Sequence, residues 1–254
     1  MMKIERVTIL GAGVMGGAIA QVLAVSGLEV CSYDPKDQVR EGLRDLITDG
    51  RFGLARAVAK GALNEADAAA ALDRVTVSPD MAEAVSAADL VIEAVPELLA
   101  LKLKVFADLD RLAPPEAILA SNSSGFSIAA LAAVTTRHDR VIGWHWSSPA
   151  QRMKMAEIVR TNRTSDEVIA TVRDLALRAG KNPVVVNDTD QEWGYVANRV
   201  YRGMIREAEQ VVREGIVDAE GLNQLMVDCF GFPVGPLAMI KGATSGWKDE
   251  DSAK

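Results

Sequence analysis

Hydrophobic positions along the chain fall into two alternating kinds of run. Short stretches of aliphatic and β-branched residues, "VTIL" (7–10), "LEVCSY" (28–33), "ADLVIEAV" (88–95), "AILA" (117–120) and "RVIGWH" (140–145), are separated by longer alanine-rich stretches of helical period. Such short apolar runs read as buried strands, and their alternation with helices predicts parallel pairing through crossover helices. "RVTV" (74–77) offers a further strand, and "KMAEIV" (154–159) and "NPVVVND" (182–188) extend the sheet at its far end. The pattern changes near Asp188. Beyond it, "EWGYVANRVYRGMIREAEQVVREG" (192–215) and "DAEGLNQLMVDCF" (218–230) read as polar helices, with Gly215 as a stop and Asp218 as an N-cap. The expectation is an α/β domain over residues 1–188 and an all-helical domain over 189–254.

The first crossover carries chemistry. "VTILGAGVMGGAIAQVLAVSGLEVCSYD" places Gly11, Gly13 and Gly16 in G-x-G-x-x-G spacing between a strand and a helix. Gly11 permits the tight turn, Gly13 leaves room for a pyrophosphate, and Gly16 lets the helix pack close to the sheet. The helix N-terminus presents unpaired N–H groups to the phosphates. Asp34 ends the second strand about 20 residues on, where a carboxylate accepts from both ribose hydroxyls and repels a 2′-phosphate. This context predicts a Rossmann-type fold and NAD rather than NADP. Val14 and Met15 in the turn, and Ala94 at the end of a later strand, complete the expected contacts there.

Ligands of open parallel sheets lie beyond the carboxyl ends of the strands. Three such ends are polar here: "VIEAVPE" with Glu97, "ASNSSG" with Asn122 and Ser124, and "WHWSSP" with His145. An imidazole suits proton transfer near neutral pH, and a carboxylate on its far nitrogen fixes the tautomer. Glu157 is a candidate for that carboxylate if its strand runs beside the one ending in His145. A plainer reading is also open. His145, between two tryptophans, is then a packing residue, Glu157 pairs with Arg160 at the surface, and the serines of "SNSS" cap the next helix. His138 reads as a solvated loop residue.

Composition narrows the field. Of the 254 residues, 49% are hydrophobic and 25% charged, and the formal net charge is -7. An acidic chain repels a phosphate backbone, so nucleic acid is not an expected partner. The two cysteines have no metal-ligand or disulfide spacing, which fits a reducing, cytoplasmic setting and calls for no metal. The N-terminus shows no leader pattern, and no apolar run reaches membrane-spanning length, so no membrane partner is expected.

Six segments in order, "GAGVMGGAIA", "ADLVIEAVPELLALKLKVFADLD", "ASNSSGFSIAALA", "RVIGWHWSSPAQRMKMAEIV", "NDTDQEWGYVANRVY" and "GFPVGPLAMI", resemble the 3-hydroxyacyl-CoA dehydrogenase family. The resemblance implies reversible oxidation of L-3-hydroxyacyl-CoA to 3-ketoacyl-CoA, a role in fatty acid metabolism, and a homodimer formed through the helical domain. It implies His145 as general base, Glu157 as its orienting carboxylate, and Ser124 and Asn198 on the substrate carbonyl. It also makes Glu97 and Lys102 cofactor contacts, with Lys102 near the CoA side. Asn198 reaches the crevice only if the two domains close over it. Arg51, Arg56 and Lys60, on the helical stretch after Asp34, are candidates for the CoA phosphates, or else a solvated helix face. The chain departs from the family at three places. Ser148 of "HWSSP" stands where H-F-F-N-P has an asparagine of the cofactor site. "DTDQEWGY" replaces D-T-P-G-F. The helical domain is short. These departures keep two alternatives open: a dehydrogenase of the same fold acting on a non-CoA hydroxy acid or ring alcohol, and a non-catalytic NAD-binding relative.

Overall fold

The computed structural model describes residues 2–189 and 194–239. The segment 190–193, within the altered "DTDQEWGY", and the polar tail after residue 239 lie outside the described residues. The chain divides into two compact units, residues 1–195 and 196–254.

The first unit is built on one eight-stranded sheet. Its strands are β1 (Arg6–Leu10), β2 (Glu29–Tyr33), β3 (Val75–Ser78), β4 (Leu90–Glu93), β5 (Ile118–Ser121), β6 (Val141–Trp146), β7 (Met155–Arg160) and β8 (Asn182–Asn187), in the spatial order β3-β2-β1-β4-β5-β6-β7-β8. Every neighbouring pair is parallel except β6 and β7. The order reverses between β1 and β4, the position at which doubly wound sheets open a ligand crevice.

Both faces of the sheet are covered over its central strands β1, β4, β5 and β6, which is why these read as continuous apolar runs, while the edge strand β8 is largely exposed. The period of two divides each strand between the faces. Ile9, Ile92, Ile118, Ile142 and Trp144 join one buried cluster, with Ile19 and Leu23 of α1 (Val14–Val25) and Val172 of the helix at Asp166–Arg178. Leu10, Val91, Leu119 and Val141 join the other, with Phe106 and Leu109 of the helix at Leu99–Leu112. Between β2 and β3 the chain makes an excursion of four short helices, Asp37–Glu41, Leu43–Asp49, Leu54–Ala59 and Glu65–Asp73. Asn64 caps the last of them by accepting from Asp67 N at 2.7 Å.

In the second unit, helices Ala197–Arg213 and Ala219–Phe230 flank Gly215, whose φ of 70° ends the first of them. Asp218 caps the second by accepting from Gly221 N at 2.7 Å. Among the described residues no helix is long and apolar enough to cross a membrane, and no group of His, Cys, Asp and Glu is placed to hold a metal ion.

One ionic clamp ties the end of the Leu99–Leu112 helix to the loop at 135–137. Asp110 accepts from Thr136 N at 2.8 Å, Thr136 Oγ1 at 2.9 Å and Arg137 Nε at 2.9 Å. Burial pushes the Asp110 carboxyl up, but the hydrogen bonds from Thr136 and Arg137 outweigh it and hold the group below its usual range. A depressed carboxylate stabilises the fold above its unfolded pKa, and that contribution disappears as pH falls through the folded value. Asp110→Asn should therefore lower stability by about 1–3 kcal/mol at pH 7. In urea titrations the gap from wild type should narrow once pH drops below about 4; a gap independent of pH would refute the clamp.

Candidate active site

The antiparallel pairing of β6 and β7 sets the geometry of the site. In its register His145 lies directly opposite Glu157, and Trp144 opposite Ile158. Opposed residues share a face, and alternation puts Trp144 and Trp146 on the other one. There the two indoles pack with centroids 4.7 Å apart. His145 Nδ1 lies 2.7 Å from Glu157 Oε2, and both side chains are buried. A proton on Nδ1 would be donated to this carboxylate, leaving the lone pair on Nε2. The Tyr195 ring meets the imidazole edge-on at 5.9 Å, and its hydroxyl donates to Phe126 O at 2.7 Å. Burial pushes the Tyr195 phenol far above its usual range, so it stays neutral beside the imidazole.

A buried polar network shapes the serine loop after β5. Asn122 Oδ1 accepts from Trp146 N at 2.9 Å, joining the loop to the end of β6. Glu97 Oε1 accepts from Ser123 Oγ at 2.6 Å and from Ser124 N at 2.9 Å. Ser123 Oγ in turn accepts from Phe126 N at 3.0 Å, while the cap of the following helix is Ser127, not a serine of "SNSS". Beneath lies Lys102, with Nζ 2.6 Å from Glu93 Oε1 and 3.0 Å from Glu97 Oε2. Glu93 also accepts from Ser121 Oγ at 2.6 Å. Burial raises the Glu93 carboxyl, opposed by the ammonium and these hydrogen bonds.

The Lys102 side chain is 1% exposed, and its ammonium is engaged by two of the chain's own carboxylates, Glu93 and Glu97. Glu93 went unnoticed in the sequence, although a carboxylate closing an otherwise apolar strand was a usable signal. Tyr195 was missed too, because nothing local links it to a histidine 50 positions away.

At the switch point, Gly11 adopts φ 97° and donates to Tyr33 O at 2.8 Å. Asp34 accepts from Ala12 N at 3.1 Å and from Lys36 N at 3.0 Å, which fixes its carboxylate at the rim. A cleft of about 600 Å³ opens here, lined among others by Gly13, Val14, Met15, Asp34 and Ala94. A Cβ at Gly13 would meet nothing within 4 Å, whereas one at Gly16 would lie 1.7 Å from Gly11 O. Gly13 thus leaves open space at the N-terminus of α1, and Gly16 is required by packing. Open backbone, a helix N-terminus and an acidic ribose partner together fit a dinucleotide.

Other expected residues lie on other elements. Arg51, Arg56 and Lys60 line a second cavity, of about 670 Å³. Ser148 is exposed, on the loop after β6. Asn198 lies in the first turn of the Ala197–Arg213 helix of the second unit.

Residues 6–189 match the model of the 3-hydroxyacyl-CoA dehydrogenase NAD binding domain, and residues 194–249 that of the 3-hydroxyacyl-CoA dehydrogenase C-terminal domain. The chain belongs to the 3-hydroxyacyl-CoA dehydrogenase family. A probable 3-hydroxybutyryl-CoA dehydrogenase of Bacillus subtilis is 41% identical, over 94% of this chain and 80% of the relative. A 5-formyl-3-hydroxy-2-methylpyridine 4-carboxylate 5-dehydrogenase of Mesorhizobium japonicum is 35% identical, over 93% of this chain and 75% of that one. The crystal structure of (S)-3-hydroxybutyryl-CoA dehydrogenase from Ralstonia eutropha superposes with a TM-score of 0.90 at 38% identity, covering 95% of this chain and 83% of that one. As a member of the family, this chain is an NAD-dependent oxidoreductase.

The two glycines separate binding from packing. Gly13→Ala should alter stability by about 1 kcal/mol at most while weakening NADH binding at least tenfold by fluorescence titration. Gly16→Ala should destabilise by about 1–3 kcal/mol through overpacking. Equal effects of both variants on melting would contradict this division.

Proposed function

We propose that this dehydrogenase interconverts L-3-hydroxyacyl-CoA and 3-ketoacyl-CoA with His145 as general base and Glu157 as its orienting carboxylate. The observation that carries the reading is the buried 2.7 Å contact between His145 Nδ1 and Glu157 at the carboxyl end of the sheet. NAD held at the glycine turn would supply the acceptor for the hydride of the substrate carbinol carbon. His145 Nε2 takes the hydroxyl proton, and Glu157 stabilises the imidazolium that results. Ser124, whose backbone is held by Glu97, donates its hydroxyl to the substrate oxygen as it becomes a carbonyl. Gly11, Gly13, Val14, Met15, Gly16, Asp34 and Ala94 hold the dinucleotide, and Glu97 and Asn122 shape the wall beside its reactive end. Asn198 takes the carbonyl-holding role that the family resemblance implies. At Ser148 a hydroxyl replaces the bifunctional amide expected there, so the contact is weaker.

Arg51, Arg56 and Lys60 face the CoA phosphates in this reading, supported by their convergence on one cavity. The relative that acts on a substituted pyridine keeps a ring alcohol as the second reading. A panel of 3-hydroxyacyl-CoA thioesters, free 3-hydroxy acids and pyridine alcohols, followed by NADH absorbance, separates the two. The proposal also places the protein in the cytoplasm, consistent with free Cys31 and Cys229.

His145→Gln should lower kcat by about 10²–10⁴-fold with the NADH Kd within threefold of wild type. Glu157→Gln should also lower kcat, by a smaller factor. Unchanged turnover in His145→Gln would overturn the base assignment.

We also infer a homodimer through the second unit, where Val200, Ile216, Leu225 and Phe230 are each more than 60% exposed. Light scattering should give twice the 27.2 kDa chain mass at micromolar concentration. A monomer at that concentration would refute the dimer.

A further inference from the structure

Tyr195 touches both sides of the site. Its ring meets the His145 imidazole edge-on, with centroids 5.9 Å apart and planes at 61°. Its hydroxyl donates to Phe126 O at 2.7 Å, in the loop that carries Ser123 and Ser124. The side chain is buried, in the cluster that holds Ile128, Leu131 and Val159. Gly194, directly before it, takes φ 100°, a backbone state that side chains rarely adopt. The same loop is held from the far end of this connection. Asp188, after β8, accepts from Ser127 Oγ at 2.8 Å and from Ala129 N at 2.7 Å. Residues 126–129 are therefore fastened by Asp188 on one side and by Tyr195 on the other.

The phenol is built as a support rather than as an acid or base. Burial holds it far above its usual range, the Ser123 side chain opposes this, and the charges of Asp188, Glu97 and Glu157 add to it. It stays neutral, and its proton is already committed to a carbonyl. What it offers His145 is a ring contact. An imidazole held through one nitrogen can pivot about that contact. His145 is held at Nδ1, 2.7 Å from Glu157 Oε2, and a ring packed against it fixes the direction of Nε2.

We propose that Tyr195 is a positioning residue that couples the base to the serine loop: its ring stops the pivot of the His145 imidazole, and its hydroxyl keeps Ser124 at a fixed reach from Nε2. This deepens the His145 reading above and rests on it. The group that removes the substrate proton and the group that hydrogen-bonds the same oxygen are then tied through one side chain. The hydroxyl belongs to a departure noted in the sequence. "DTDQEWGY" ends in Gly-Tyr where D-T-P-G-F ends in Gly-Phe, and a phenyl ring would keep the contact with His145 but not the bond to Phe126.

The test uses Tyr195→Phe, Tyr195→Leu and Ser124→Ala in the full chain, with acetoacetyl-CoA and NADH as substrates. Tyr195→Phe removes the hydroxyl and keeps the ring. Its kcat should fall about five- to tenfold, with both KM values within about threefold of wild type. In the Ser124→Ala background the same change should cost less than about twofold, because the group that the hydroxyl places is gone. Nitrogen-15 NMR of the resting protein reads the ring contact without turnover. The downfield His145 Nδ1 proton should persist in Tyr195→Phe and broaden or disappear in Tyr195→Leu. A purely structural Tyr195 predicts lower melting temperatures with an unchanged kcat in Tyr195→Phe, and that result would overturn the coupling. So would effects of Tyr195→Phe and Ser124→Ala that multiply, or an Nδ1 signal that Tyr195→Leu leaves intact. If wild type turns over no CoA thioester and Tyr195→Leu still removes the Nδ1 signal, the thioester reading fails and the positioning of His145 stands. If wild type is active and both Tyr195 variants match it in kcat and in the Nδ1 signal, the positioning role fails and the catalytic reading stands.

Discussion

Everything proposed for the reaction depends on one reversal of strand direction. β7 is the only strand of the sheet that runs against its neighbour β6, and that pairing sets His145 opposite Glu157. A slip of one residue would turn Glu157 to the face where the tryptophans pack and leave a buried imidazole without its carboxylate. The register is held by more than strand hydrogen bonds. Trp144 and Trp146 pack as a tilted pair on one face, and Asn122 grips the Trp146 backbone from the neighbouring loop. Packing on the apolar face thus fixes polar geometry on the catalytic one.

The second constraint is electrostatic. Glu93, Lys102 and Glu97 place two carboxylates around one ammonium beneath the serine loop. Removing Lys102 from such a buried set leaves its carboxylates uncompensated, which costs about 3–5 kcal/mol. In return the network directs the exposed edge of Glu97 to Ser123 and the Ser124 backbone. A strand end, the helix that follows it and the serine loop after β5 therefore meet at one point. The cavity that Arg51, Arg56 and Lys60 line differs, with cations and no acid among its described lining residues.

The strands were legible because a sheet covered on both faces demands continuous apolar runs, and each run in the sequence became a strand. The glycine turn was legible because its demands are local: a positive φ at Gly11 and a close approach at Gly16 admit little else. The pairing of His145 with Glu157 could be raised from sequence but not chosen over packing, since both outcomes are compatible with the same residues until strand direction is known. The burial of Lys102 was not legible, because its motif marks a conspicuous lysine but not its surroundings. Tyr195 was invisible because it takes its meaning from partners brought together only by the fold, whereas Glu93 left a local trace as a carboxylate closing an apolar strand.

The chain has two histidines, His138 and His145, which makes the central claim open to direct observation. Nitrogen-15 NMR of the labelled enzyme reports which ring nitrogen of His145 carries the proton. The account predicts a neutral His145 protonated at Nδ1, with a strongly downfield Nδ1 proton that is lost or shifted upfield in Glu157→Gln. A His145 protonated at Nε2, or a spectrum that Glu157→Gln leaves unchanged, would contradict it.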